Sequence, residues 1–440
     1  MFSKKFWRAP VLLLALGAFL TAGCGDDDDE SPMGPGTGDG LVRVAHLSPD
    51  APAVDVFVDG AKVLSSVPFG TFSDYLEVPA GSRRVQVRVA GQPTSTPVID
   101  EAITLTADGY FTVAATGKVA DIGAIVLPDI RTTVSNSAKL RFIHAGADAP
   151  AVDITLMDGT LLFSNIEFNE SSAFITTPGN SYDLQVRLAG TQTVVLSFGG
   201  VPLMNGTVYS VFATGLLSDK SLRATVAVDA PGDGSTTVSL TPASASVRVA
   251  HLSPDAPAVD VSIDGTPVAA LTAVPFSAVS SYLTLSASTH RVQVFATGTT
   301  TNPVIDATLT LLPGVAYTVA ATGLLGGSDL QPLVLVDDRT GATNGNAKVR
   351  FVHTSPDAPP VDIVVAAGST LFPDASFRES AGYASTPAGT YDLEARLTTG
   401  GALALSIPDV ALAAGENYTA FAIGLAGDAT LAALLVQDTP

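Results

Sequence analysis

The stretch VRVAHLSPDAPAVDV stands at residues 42–56 and again, letter for letter, at residues 247–261. Related stretches, AKLRFIHAGADAPAVDI and AKVRFVHTSPDAPPVDI, begin at residues 138 and 347. Self-similarity at a fixed period marks a structural unit that recurs along the chain. Copies one and three resemble each other most, as do copies two and four. The repeats therefore predict four domains in two pairs, produced by duplication of a two-unit ancestor.

Each unit contains seven or eight short runs that alternate between apolar and polar residues. The runs are rich in Val, Ile and Thr and are separated by Gly, Pro and Asp, which is typical of strands and turns. In unit 1 we predict strands at 42–47, 53–58, 62–67, 73–78, 83–89, 98–105, 110–116 and 122–127. No run has a helical period. The pattern predicts an all-β protein made of tandem immunoglobulin-like antiparallel β-sandwiches.

A Gly followed three residues later by a Tyr opens a late strand in three units, at Gly206/Tyr209, Gly314/Tyr317 and Gly415/Tyr418. This spacing resembles the tyrosine corner of immunoglobulin-like sandwiches, in which the phenol bonds to nearby backbone. Unit 1 departs from it, because Tyr110 directly follows Gly109. The motif indicates a packing device and implies no binding function.

Composition and repeats together divide the chain. The predicted segments are a signal peptide at 1–23, an acidic Gly/Pro-rich tether at 24–40, sandwich units at 41–130, 138–230, 246–338 and 347–438, and a Ser/Thr/Pro-rich linker at 231–245. Strands of six to eight residues are about 20–26 Å long. Four units placed end to end would form an extended rod, which suits adhesion or a surface layer.

The N-terminus resembles a bacterial lipoprotein signal. Basic residues precede the apolar run 11–20, which is too short to span a bilayer, and the small residues 21–23 lead into Cys24. Cys24 is the only cysteine in the chain. The resemblance implies lipid attachment at Cys24, membrane association through that lipid and a location in the bacterial cell envelope. The alternative is an ordinary secretory signal followed by an incidental Cys.

The charge of the chain excludes one class of partner. Its formal net charge is −20, and it becomes more negative if the basic residues of the signal peptide are removed. Such a surface repels nucleic acid. A protein or glycan of the envelope or the extracellular space remains a candidate partner, and no cofactor is predicted.

The repeated motif has a definite strand phase. Val42, Val44 and His46 point to one side of the first strand, whereas Arg43 points to the other. His46 therefore shares the apolar face and satisfies the Ser-Pro-Asp turn that follows. The turn residues predicted in this way are Ser48 and Asp50 with His46, His144 in unit 2, Ser253 and Asp255 with His251, and Asp357 with His353.

The same phase places an Asp of the second strand on the outer side with the Arg of the first strand. We predict a cross-strand contact between them in every unit. The pairs are Arg43/Asp55, Arg141/Asp153, Arg248/Asp260 and Arg350/Asp362.

Three functional readings compete with this structural one. A Ser-His-Asp hydrolase built from Ser48, His46 and Asp50 or Asp55 lacks a strained elbow and an oxyanion hole, and unit 2 has Gly146 at the serine position. A metal site at Asp50, Asp55 and Asp59 lacks the dense ligands of calcium loops, so no metal site is predicted. A ligand pocket is the third reading, and Tyr75, Phe174, Tyr282 and Tyr383 occupy equivalent places that could line it.

The motif R-V-x-H-x-S-P-D-A-P-x-V-D resembles the opening of a bacterial domain family of unknown function. The resemblance covers about residues 41–438 and is weaker in unit 2, where HAGADAP replaces HLSPDAP. The family occurs in secreted proteins and lipoproteins, often in tandem, and has no accepted catalytic or binding residues to carry over. We therefore expect a lipid-anchored envelope protein that displays four modules without enzymatic activity. The alternative is an envelope receptor for a small ligand or glycan.

Overall fold

The computed structural model describes residues 38–229, 235–327 and 329–439. The predicted signal peptide, Cys24 and most of the tether lie outside the described residues. Within them the chain forms β-strands and two short 3-10 turns, at Val119–Asp121 and Ala269–Leu271. No helix in these ranges is long and apolar enough to cross a membrane. The all-β fold predicted from the sequence is confirmed.

Unit 1 is a sandwich of two sheets. Its strands are β1 (Asp39–His46), β2 (Val54–Val58), β3 (Ala61–Val67), β4 (Thr71–Phe72), β5 (Leu76–Pro79), β6 (Gly81–Val89), β7 (Ile99–Leu105), β8 (Tyr110–Thr116) and β9 (Gly123–Asp129). We call the sheet that contains β1, β4, β5, β8 and β9 the first-strand sheet, and the sheet in the order β3-β2-β6-β7 the second-strand sheet. Strand β1 pairs with β8 in parallel, and every other pair is antiparallel.

Unit 2 also has nine strands, because a single strand takes the place of β4 and β5 and a further strand is added at the end. Its strands are β10 (Ala138–Gly146), β11 (Val152–Leu156), β12 (Leu161–Ile166), β13 (Ile175–Thr177), β14 (Asn180–Leu188), β15 (Val194–Leu203), β16 (Val208–Gly215), β17 (Arg223–Asp229) and β18 (Ser235–Leu240). The first-strand sheet has the order β13-β10-β16-β17-β18. Residues 235–240 therefore belong to a sheet, and the prediction that 231–245 is only a linker is wrong for them. Their alternating Thr, Val and Leu side chains favour the strand.

Units 3 and 4 have two four-stranded sheets each. Unit 3 contains β19 (Ser244–His251), β20 (Val259–Ile263), β21 (Thr266–Pro267), β22 (Leu283–Ser286), β23 (Thr289–Ala296), β24 (Ile305–Thr310), β25 (Ala316–Thr322) and β26 (Gln331–Asp337). Unit 4 contains β27 (Asn346–His353), β28 (Val361–Val365), β29 (Thr370–Ala375), β30 (Ala384–Pro387), β31 (Gly389–Leu397), β32 (Leu403–Leu412), β33 (Asn417–Ile423) and β34 (Ala432–Gln437). Their first-strand sheets have the orders β22-β19-β25-β26 and β30-β27-β33-β34.

The core of each sandwich lies between its two sheets. In unit 1 the inward residues of β1 and β2, among them Val42, Val44, Val54 and Val56, form one apolar cluster with residues of β6, β7 and β8. The strand phase read from the sequence therefore holds. Because the side chains of a strand alternate, Arg43 and Ala45 must face away from this core.

The outer faces of the first-strand sheets pack against each other within each pair. Ala45 and Leu47 of unit 1 meet Ile143 and Phe212 of unit 2 in one buried cluster. Units 3 and 4 form the equivalent cluster. Each pair is thus a four-layered block, and the expected end-to-end arrangement of four units is wrong within the pairs. The apolar outward positions of the first strand, at Ala45 and Leu47, account for the difference, since burying them stabilises face-to-face packing.

Candidate functional site

The motif histidines lie at the end of each sandwich and contact the turn that follows them. His46 Nε2 is 3.1 Å from the carbonyl oxygen of Pro52. The equivalent contacts join His144 to Pro150, His251 to Pro257 and His353 to Pro359. Because a carbonyl only accepts, Nε2 carries the proton in each case. Burial lowers the pKa of His46 below its ordinary value, and the bond to Pro52 opposes this shift.

Ser48 and His46 are 0% and 1% exposed, so a substrate has no direct access to them. The ring of His46 instead packs edge-on against Phe69 at 6.4 Å between centroids. The carboxylate of Asp50 accepts a bond from Val119 N at 2.8 Å, and Asp55 lies in the other sheet. The observed bonds of these residues do not link them into a Ser-His-Asp relay.

The Asp of the turn joins two loops that are about 70 residues apart in sequence. Asp255 accepts bonds from Leu325 N and Gly326 N, both at 2.8 Å. Asp148 and Asp357 bond in the same way to the loops of units 2 and 4, as does Asp50, with a single bond, in unit 1. Burial tends to raise the pKa of Asp255, but the two N–H donors hold it below its ordinary value. This Asp therefore fastens to the motif the loop that follows β8, β16, β25 or β33, the strand that pairs in parallel with the first strand.

The predicted contact between Arg43 and Asp55 is wrong, and so are its three equivalents. Asp55 bonds to Ser66 N at 2.8 Å, Lys62 Nζ at 2.8 Å and Gly91 N at 3.2 Å. The equivalent residues make matching bonds: Asp153 to Asn165 N, Asp260 to Ala273 N and Asp362 to Asp374 N. The physical reason is that β1 and β2 belong to different sheets. Their outward faces lie on opposite sides of the sandwich, which excludes a cross-strand contact.

The motif arginine instead crosses to the other unit of its pair. Arg43 Nη1 bonds to Asp229 Oδ1 at 2.8 Å, while Arg43 Nη2 bonds to Thr112 of its own unit at 2.8 Å. In return, Arg141 of unit 2 bonds to Asp129 of unit 1. Both arginines and both carboxylates are buried. We call these reciprocal contacts the Arg–Asp lock.

The second pair has the same lock. Arg248 bonds to Asp438, and Arg350 bonds to Asp337. Because each unit offers one Arg and receives one, the interface has the reciprocity of an isologous contact. A buried ion pair contributes little net stability over apolar side chains of similar size, but removing one partner is costly because the other charge is left buried. The apolar cluster around it supplies the favourable free energy of packing.

The four equivalent aromatic residues lie against the lock. The guanidinium carbons of Arg43, Arg141, Arg248 and Arg350 are 5.0, 4.7, 4.9 and 4.8 Å from the rings of Tyr75, Phe174, Tyr282 and Tyr383 respectively. Tyr75 Oη donates to Asp129 at 2.8 Å. Burial and the nearby Asp129 raise the pKa of Tyr75, so the phenol keeps its proton and donates. These aromatic side chains are therefore engaged in the pair interface, which disfavours them as the lining of a ligand pocket.

Sequence reasoning missed the carboxylates of the lock, Asp129, Asp229, Asp337 and Asp438, and the hydroxyls beside them. A signal was present, because an Asp ends or directly follows β9, β17, β26 and β34. A Ser or Thr also recurs in the strand that pairs in parallel with the first strand, at Thr112, Ser210, Thr318 and Thr419. Partners for the motif arginine were predicted only within its own unit, whereas the partner of Arg43 lies 186 residues away in the next unit.

A cleft of about 410 Å³ lies where unit 2 meets unit 3. His290 dominates its polar wall: Nδ1 is 2.8 Å from Asp264 Oδ2, and Nε2 is 2.9 Å from Ser286 O and 3.1 Å from Ser288 Oγ. Lys220 of unit 2 reaches Asp264 at 3.3 Å. The carbonyl oxygen of Ser286 accepts, whereas the hydroxyl of Ser288 can donate or accept. The wall of the cleft thus offers several polar groups to a bound molecule. Among the described residues no cluster of three His, Cys, Asp or Glu could hold a metal ion.

Comparison with known sequences places the chain in a family. The profile of the domain of unknown function DUF4397 matches residues 40–155, 138–244, 245–364 and 355–440. The chain therefore belongs to that family, as four tandem copies. No curated protein gives a significant match. Among solved structures, the chain is similar to the Bacillus anthracis TIE protein, at 11% identity over 64% of this chain and 50% of that one, with a TM-score of 0.17. The match thus spans about half the length of that protein.

Proposed function

We propose that the protein is a lipid-anchored component of the bacterial cell envelope that displays two blocks of paired sandwiches as a non-enzymatic scaffold or interaction surface. The observation that carries the proposal is the use of the motif itself. Its His, both Asp residues and its Arg are each engaged in a contact that holds a turn, a loop or a neighbouring unit. A motif whose side chains make structural contacts in all four copies suits a display module better than a duplicated active site.

The anchor is supported by Cys24 and the apolar run before it. One acyl chain gives only marginal membrane binding, so stable attachment needs more than one chain. The test is fractionation of cells that express the wild-type chain or a Cys24→Ala variant, with mass spectrometry of the N-terminal peptide. Acylated Cys24 and release of the variant from membranes are expected. A variant that still fractionates with membranes would overturn the anchor.

The absence of enzymatic function is tested on the motif. A His46→Ala/His251→Ala variant is compared with the wild-type chain on ester and peptide substrates. Equal background rates are expected, and hydrolysis that depends on these histidines would overturn the proposal. Capture from envelope extract, with and without calcium, then reports whether the blocks hold a protein partner.

The cleft between units 2 and 3 favours a second candidate function, the binding of a small ligand or glycan. It combines a volume of about 410 Å³ with Lys220, Asp264 and Ser288 on its walls, and such groups bond sugar hydroxyls. A glycan array probed with the whole chain and with a Lys220→Ala variant tests it. Arg84→Ala is the matched control, because Arg84 makes a similarly exposed ion pair with Asp100 in unit 1 and does not line the cleft. Saturable binding lost only in Lys220→Ala supports the candidate, and no signal on the array removes it.

A further inference from the structure

The outer edge of the strand that precedes or contains the lock carboxylate, β9, β17, β26 or β34, differs between the four units. In unit 2, β18 pairs antiparallel with β17 and places Val238 opposite Val226. The equivalents of β17 are β9, β26 and β34, and each is the last strand of its described sheet. Among the described strands, this edge is therefore paired with a further strand in unit 2 and ends the sheet in units 1, 3 and 4.

The paired and unpaired edges differ in the exposure of one equivalent side chain. Val226 beside β18 is 5% exposed, whereas Val126, Val334 and Leu435 are 38%, 41% and 38% exposed. These four residues occupy one register position, opposite Val211, Val113, Val319 and Ala420. The open edges thus leave an apolar side chain in water at the position that is buried where a strand is present.

Proline separates the open edges into two kinds. Strand β9 contains Pro128 and β26 contains Pro332, whereas β17 and β34 contain no proline. Proline cannot donate to a ladder and is tolerated where its nitrogen faces away from the neighbouring strand. A bond from the lock arginine does not separate the two kinds of edge, because Pro128 O accepts from Arg141 and the equivalent Gln437 O of β34 accepts from Arg248. Both prolines therefore remove a donor from the free edge, which is a common protection against strand addition.

The edge of β34 is accordingly the one that resembles the occupied edge of β17. Pro332 is equivalent to Ala433, since they pair with the equivalent residues Ala321 and Ala422. At Ala433 an outward N–H is present where unit 3 has none. Leu435 offers the apolar contact, and backbone groups of Ala433 and Leu435 offer the hydrogen bonds that give strand addition its affinity, whereas Gln437 O already accepts a bond from Arg248.

We propose that the edge of β34 binds an extended segment of a partner protein by antiparallel strand addition, as β18 completes the sheet of unit 2. The segment has the chemistry of β18, STTVSL: uncharged, β-branched and without proline in the paired stretch. By the register of β17 and β18, its valine lies opposite Leu435 and its leucine opposite Ala433. This inference goes beyond the envelope role and does not depend on the anchor at Cys24.

The experiment uses the full chain and a fluorescent peptide of residues 235–241, STTVSLT, followed by anisotropy. Saturable binding to one site is expected. Ala433→Pro places in β34 the proline that unit 3 already carries, and it should weaken binding about tenfold or more by removing a backbone donor. Leu435→Lys should weaken it as well, because charge on an edge opposes strand addition.

A gain of function supplies the matched control. Pro332→Ala restores the donor on β26, so the stoichiometry should rise from one peptide to two per chain. Melting curves of every variant verify folding. The proposal is overturned if the peptide does not bind, or if Ala433→Pro and Leu435→Lys both leave its affinity unchanged. Dimerisation of the chain that Ala433→Pro abolishes would show that a second copy, not another protein, is the occupant.

Discussion

Replacing Asp129 by Ala perturbs the first pair at its centre. Asp129 is the carboxylate that Arg141 contacts, and it also accepts bonds from Thr112 at 2.6 Å and Tyr75 at 2.8 Å. Arg43 lies 3.6 Å away. Removing one partner of a buried ion pair costs about 3–5 kcal/mol, because the remaining charge stays buried without compensation. We expect a loss of this size in the first pair, since Arg141 loses the carboxylate to which it bonds.

Hydrogen exchange of the whole chain, read by mass spectrometry, measures the effect with an internal control. A loss of about 3–5 kcal/mol corresponds to exchange that is roughly 150- to 5,000-fold faster in cooperatively protected strands. The acceleration should appear in β8, β9, β16 and β17 and be absent from β25, β26, β33 and β34 of the second pair. Asp100→Ala, which breaks the exposed pair with Arg84, should leave all strands protected. A change below about tenfold, or an equal change in both pairs, would refute the reasoning.

The remaining predictions concern single contacts. Burial holds the pKa of His251 below its ordinary value of 6.5, so the unfolded chain takes up the proton first and the free energy of unfolding should fall as the pH drops from 7 to 5. Denaturant midpoints should show this fall, His251→Gln should reduce its slope, and a flat profile would contradict it. Tyr209→Phe removes the phenol oxygen that accepts a hydrogen bond from Met204 N at 2.9 Å. The free energy of unfolding, measured by thermal denaturation, should fall by about 1 kcal/mol. Tyr110→Phe, in the unit without the corner, should have a smaller effect, and equal losses would exclude the corner as the cause. Asp255→Ala should accelerate amide exchange in 324–327 alone, and an unchanged loop would show that the two bonds do not hold it.

Much of one unit could be predicted from its own sequence. Alternation placed the strands of unit 1 within a few residues of those observed, because each strand buries one face against a single core. The tyrosine corner was also readable. Gly206, Gly314 and Gly415 have φ values of 75°, 70° and 86°, a conformation that favours glycine, and the following tyrosines accept backbone bonds. In unit 1, Asp108 takes this conformation instead, with φ 57°.

Contacts between units could not be derived in the same way. The outward phase of Arg43 was correct, but strand phase does not say which surface an outward residue meets. Asp55 was predicted as the partner of Arg43 because it lies nearby in sequence. However, Asp55 is in β2, which belongs to the other sheet of the sandwich. The prediction of a linker at 231–245 was wrong for residues 235–240 because a Ser/Thr-rich composition suits a loop and an edge strand equally.

Association of separated modules tests the central claim that the motif arginine locks sandwiches into pairs. Units 1 and 2 would be produced as residues 38–130 and 131–243, and their mixture examined by size-exclusion chromatography with light scattering. A one-to-one complex is expected, and exchanging Arg43 for Met together with Asp129 for Ala should abolish it. Two stable monomers that do not associate, or a complex unaffected by both substitutions, would contradict the claim.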